Sequence, residues 1–226
     1  MLRRALAGVT AHVAFATRRR TARQLFRFAL AEHESMLELR AAAARSPSPE
    51  RRALYLRHAL DEQRHATVFS LHADEIRRAL GLPEHGRPRT DCEALYERLG
   101  EAGFLAFVHR GEHRGRVQFE AYAAHFARRG DDRLRAVFAA LITDEKEHER
   151  YTGELLVGCA GGEAAARALL RRVAFGEAVR VWRRAGQGIA AIVYAAAMAV
   201  LYACLLPFAV LVRFADPERG GRWRVR

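Results

Sequence analysis

Apolar residues return at three- and four-residue intervals along four long stretches of the chain, the spacing that gives a helix one buried face. The first stretch runs from about Arg20 to Arg45, with Leu25, Phe28, Met36 and Leu39 in phase, and stops at the Ser-Pro-Ser-Pro of residues 46–49. A second, from about Pro49 to Leu80, carries Tyr55, Ala59, Phe69 and Ile76 and ends at Gly81-Leu82-Pro83. The polar stretch Gly81–Thr90 reads as a crossover, with Asp91 as an N-cap and a short helix over Cys92–Leu99. The third long helix covers about Ala102–Arg129, with Leu105, Val108, Phe119 and Phe126, and Gly130-Asp131 forms a tight turn. A fourth, with Leu134, Phe138, Leu141 and Leu155, spans about Asp131–Val157 before a cluster of glycines. Two helical hairpins joined by one long connection predict an all-α four-helix bundle over residues 20–158.

Beyond the bundle the chain changes character. Residues 163–184 predict a basic amphipathic helix, with Leu169, Leu170, Val173, Val181 and Trp182 set against Arg171, Arg172, Arg180, Arg183 and Arg184. Residues 185–212 contain no charged side chain, and the apolar run Ile189–Val212 is long enough to cross a bilayer, for which about 20 residues are needed. The segment 185–213 is therefore expected to be a membrane anchor, transmembrane or, through a kink at Pro207, monotopic, with a basic tail at 214–226. Arginines on both flanks leave its orientation open. The basic lead-in of residues 1–19 has no small-residue cleavage site after its apolar stretch, so the bundle is expected on the cytoplasmic side of the membrane, with the lead-in either lying on the membrane surface or fraying.

Composition changes this picture little. The net charge of +12 is almost entirely arginine, Lys146 being the single lysine, and no basic stripe is interleaved with aromatic residues, so nucleic acid is not expected as a partner. Cys92, Cys159 and Cys204 show no paired spacing, which argues against a disulfide framework, a zinc site or a rubredoxin-type centre.

The chemistry lies in two matching motifs. The second helix contains Asp61-Glu62-Gln63-Arg64-His65, and the fourth contains Asp144-Glu145-Lys146-Glu147-His148. Residues three apart share a helix face, so Glu62 with His65 and Glu145 with His148 can each grip one metal. Counting back across the hairpin turns, Glu32 stands opposite Glu62 and Glu112 roughly opposite Glu145. All six fall on the apolar stripes, whereas Glu34 shares a side with Arg27 and Glu38 and reads as solvated. A carboxylate in such a stripe costs several kcal/mol unless it is paired or coordinates a metal. Glu120 is a possible additional ligand. His33, His58 and His113 read as polar-face histidines, while Asp61 and Asp144 read as acceptors that orient the ligand imidazoles. Tyr55, Tyr122 and Tyr151 are placed close to the metals.

The set Glu32, Glu62-x-x-His65, Glu112, Glu145-x-x-His148 resembles the ferritin-like di-iron carboxylate superfamily, which includes rubrerythrins, bacterioferritins and di-iron oxygenases. The resemblance covers about residues 20–158. It implies two iron ions, with manganese or a mixed Fe/Mn pair as the other choices, Glu62 and Glu145 bridging them, and Glu32 with His65 and Glu112 with His148 as terminal ligands. The Asp61-Glu62-x-Arg64-His65 form is similar to that of di-iron oxygenases, in which the Asp and Arg belong to a supporting hydrogen-bond network. The chain lacks the CxxC pairs of full-length rubrerythrins and carries a hydrophobic anchor that cage-forming ferritins lack, so membrane-associated quinone hydroxylases offer the nearest architectural analogy.

The function that this implies is a non-haem di-iron oxidoreductase that activates O2 to hydroxylate or desaturate a lipid-like, membrane-associated small molecule, with electrons from an unidentified donor. Iron oxidation or peroxide reduction by a membrane-tethered rubrerythrin-like protein needs the same ligands and is the alternative. A metal-free helical membrane adaptor is the reading from another class.

Overall fold

The computed structural model describes residues 8, 10–84, 92 and 94–215. Residues 10–14 are helical, and five long helices follow in chain order: α1 (Arg18–Arg45), α2 (Pro49–Ala79), α3 (Leu95–Arg128), α4 (Asp132–Ala160) and α5 (Glu163–Ala215). No strand occurs among the described residues. The chain divides into two compact units, residues 1–173 and residues 174–226.

In the first unit, α1 pairs with α2 and α3 with α4, and the hairpins meet where α1 faces α3 and α2 faces α4. Local chemistry ends and starts the helices where the punctuation predicts. The Ser48 hydroxyl accepts from the Arg51 amide ahead of α2, and Pro49 occupies the first turn, where its missing N–H costs nothing. Asp131 caps α4 in the same way, accepting from the Leu134 amide after the left-handed Gly130. The predicted short helix and third long helix are one element broken at Gly100, whose φ of 68° and ψ of 167° are open chiefly to glycine. Asp91 and most of the crossover lie outside the described residues. The N-terminus of α3 is capped instead from across the bundle: the Glu38 carboxylate accepts from the Leu95 amide at 2.8 Å. Glu38 is therefore buried, not solvated with Glu34 as its phase predicts.

Two apolar layers fill this unit. One is aromatic and gathers Phe28, Phe69, Phe119, Tyr122, Phe126 and Phe138 from all four helices. Ala11 and Phe15 are buried in it, so the described end of the lead-in packs into the bundle rather than fraying. The other gathers Met36, Leu39, Tyr55, Phe104, Leu105 and Leu156, and the first turns of α5 pack on it through Ala166, Leu169 and Leu170. Along each helix, the candidate ligands lie between the residues of these two layers.

In the second unit, α5 continues as one helix through Pro207. α5 is long and apolar enough to cross a membrane, and its most apolar stretch has no buried residue.

The Phe138 ring packs against those of Phe15, Phe28, Phe69, Phe119, Tyr122 and Phe126. Phe138→Ala is expected to cost about 3–5 kcal/mol in chemical denaturation, whereas Leu71→Ala, at an exposed position, should stay within about 0.5 kcal/mol.

Candidate metal centre

Between the apolar layers, seven acidic and imidazole side chains converge. One group comprises His58, Glu62, Glu112 and His148; the other comprises Glu32, Glu62, His65 and Glu145. Within each group the donor atoms lie within 4.8 Å of one another, and Glu62 belongs to both. Glu32 is half-buried and the other six are buried. Two groups joined by a shared carboxylate are compatible with a dinuclear centre.

Each helix reaches this level by its own phase. Glu32 follows Leu25 and Phe28 on α1, Glu62 and His65 lie one turn apart on α2, and Glu145 and His148 repeat that spacing on α4. Glu145 needs a further accommodation. A methyl group at Gly115 of α3 would lie 2.9 Å from Glu145 Oε2, so the absent side chain there makes room for the carboxylate.

The supporting bonds cross between the motifs. His65 Nε2–H donates to Asp144 Oδ2 at 3.0 Å, and His148 Nε2–H donates to Asp61 Oδ2 at 3.2 Å. Arg64 ties the two acids together, lying 2.9 Å from Asp61 Oδ1 and 2.9 Å from Asp144 Oδ2. With the Nε2 atoms so held, each imidazole turns Nδ1 inward, and neither buried Nδ1 atom makes a hydrogen bond. Inward-facing nitrogens without a hydrogen bond, beside clustered carboxylates, are what a metal ion would satisfy.

Without metal the charges must be settled by protons. Burial raises Glu32, and it raises Glu62 and Glu145 well above the ordinary carboxylate range, with the neighbouring carboxylates adding to the rise in the latter two. Burial opposes ionisation of Glu112 too, but the imidazoles around it hold it down to about 2. Burial also works against a charge on His148, yet the Glu112 and Asp61 carboxylates beside it raise it. His58 is lowered to about 3 by burial and is neutral.

His58 is the residue that sequence reasoning missed. It is not a polar-face histidine: it is 2% exposed, stacks on His148 with ring centroids 3.6 Å apart, and lies 3.0 Å from Glu62 Oε1. Its spacing from Glu62 and His65, four and seven residues, places all three on one helix face and was the available signal. The other two histidines stay outside the cluster: His33 is half-buried in a groove between α1 and α2, and His113 binds Glu149. Glu120 is not with the candidate ligands either, because Arg116 of the preceding turn holds it at 2.8 Å in a network with Glu149. Tyr151 adjoins the site through His58, whereas Tyr122 packs in the aromatic layer with its hydroxyl bonded to Thr10 and Gln118. Tyr55 donates to Glu101, away from the cluster.

No family model, curated protein or solved structure matches the chain.

Two outcomes check the site. Metal ligands must be deprotonated, so adding Mn(II) in weak buffer should release protons, and more of them at pH 6 than at pH 8, because the raised carboxylates and His148 hold theirs at the lower pH. Gly115→Ala should weaken Mn(II) binding by displacing the Glu145 carboxylate while leaving the melting temperature unchanged or higher, since alanine suits a helix interior better by about 0.5–1 kcal/mol.

Proposed function

We propose that this protein is a ferritin-like, non-haem di-iron oxidoreductase acting with O2 on a lipid-like small molecule at a membrane. The observation that carries the reading is the pair of buried His/Glu groups sharing Glu62, with two imidazole nitrogens facing inward without a hydrogen bond. Glu62 would bridge, Glu32, His65 and Glu145 would hold one ion, and Glu112 with His148 the other. Iron pairs of this kind supply O2-dependent oxidation of unactivated carbon when loaded. The chain's own part is to hold the ligands in place through Asp61, Asp144 and Arg64, and to exclude water with the apolar layers on either side.

The oxygenase reading is favoured over iron or peroxide handling by an open groove of about 590 Å³ between α1 and α2. Phe26, Leu30, Met36 and Leu71 line it beside the polar His33, Arg40, Gln63, Thr67 and Ser70, and no carboxylate does. A groove without a carboxylate in its lining is a poor route for a metal ion in transit. The apolar span of α5 supports a membrane location, and the proposal keeps the bundle on the cytoplasmic side.

Anaerobic loading with Fe(II), followed by O2 and Mössbauer spectroscopy, tests the core of the proposal. About two irons per chain in an exchange-coupled pair are expected, and Glu62→Ala should abolish the coupling. Iron that stays uncoupled or unbound in the wild-type chain would sink the reading.

A further inference from the structure

We infer that the two metal positions are chemically unequal, and that His58 is a seventh ligand which makes one of them nitrogen-rich and the first to fill. The inference rests on the dinuclear reading above and adds the order and selectivity of loading.

The donor sets differ. Around His58 the group offers two imidazoles and two carboxylates; around His65 it offers one imidazole and three carboxylates. The geometry of the first set suits coordination rather than mere packing. His58 Nε2 lies 3.0 Å from Glu62 Oε1 and 3.5 Å from Glu112 Oε1, and His148 Nδ1 lies 3.6 Å from Glu62 Oε1 and 3.6 Å from Glu112 Oε2. Atoms bound to a common ion at about 2.0–2.2 Å must stand roughly 3–3.6 Å apart, which is the spacing of these four edges.

His58 is also held as a ligand would be. Its Nδ1 lies 2.6 Å from the Tyr151 hydroxyl, so its other nitrogen is turned toward Glu62 and Glu112. It thus presents Nε2 to the site, whereas His65 and His148, braced at Nε2 by the aspartates, present Nδ1. Three imidazoles each fixed at the outer nitrogen by a different partner is a pattern that packing alone does not require.

Imidazole discriminates among divalent ions more steeply than carboxylate does, later metals gaining most. Co(II) should therefore enter the His58 position first and the carboxylate-rich His65 position second. Mn(II), which gains little from nitrogen, should show a smaller separation between the two.

Titration with Co(II) alone, followed by visible absorption, tests this on the full chain. The wild type is expected to bind about two ions in two resolved steps, and crystals grown with one equivalent should show the cobalt anomalous peak beside His58. His58→Ala should remove the tighter step and leave the weaker one, and His65→Ala should do the reverse. Tyr151→Phe keeps the ring and serves if His58→Ala does not fold; it should weaken the first step about tenfold or more without changing the second. A wild-type Co(II) isotherm with equal sites, a first ion found beside His65, or a tighter step unchanged in His58→Ala or Tyr151→Phe would overturn the inference while leaving two bound metals intact. A wild-type chain that binds no Co(II) and no Fe(II) would overturn the dinuclear reading as well.

Discussion

The bundle is organised by the need to neutralise a layer of buried acids. Four carboxylates and three imidazoles occupy one level between two apolar layers, where isolated charges are expensive. Every helix of the bundle contributes to that level, so the helices must keep a common register or strand an acid against hydrocarbon. In the metal-free chain burial and the neighbouring carboxylates raise Glu62 and Glu145 well above the ordinary carboxylate range, and Glu112 and His148 form a loose ion pair at 3.6 Å. That arrangement leaves two inward nitrogen atoms without a hydrogen bond, and this incompleteness is the strongest physical argument for a bound cation.

The same constraint explains the crossed bracing. Each motif's aspartate accepts from the other motif's histidine, so neither α2 nor α4 positions its own ligand alone. Arg64 joins the two aspartates, and its charge offsets theirs at the protein surface, where solvent screens the rest. Binding, alignment and water exclusion are thereby supplied by different parts of one small bundle. α5 adds a span long and apolar enough to cross a membrane.

Much of this was legible along the chain. Periodicity located α1, α2, α4 and the extent of α5, because an amphipathic helix records its buried face every three or four residues. The doubled Asp-Glu-x-x-His pattern, read with the hairpin turns, singled out Glu32, Glu62, His65, Glu112, Glu145 and His148, all of which fall within the two groups. Phase did less well where a side chain is long enough to leave the sector of its own Cα. Glu38 lies off the apolar stripe yet reaches across to cap α3, and Glu120 was left open as a ligand although a neighbouring arginine claims it.

The sequence by itself determined the helices, their turns and the residue types able to hold metal, since each of these is a local property of spacing and side-chain chemistry. Tertiary structure decided what depends on distances between helices: that His58 joins the cluster, that Glu62 is the acid common to both groups, that the aspartates brace the opposite motif, and that Tyr122 belongs to the aromatic layer. A helix pattern specifies which way a side chain points, but only the packing of one helix against another specifies what it meets.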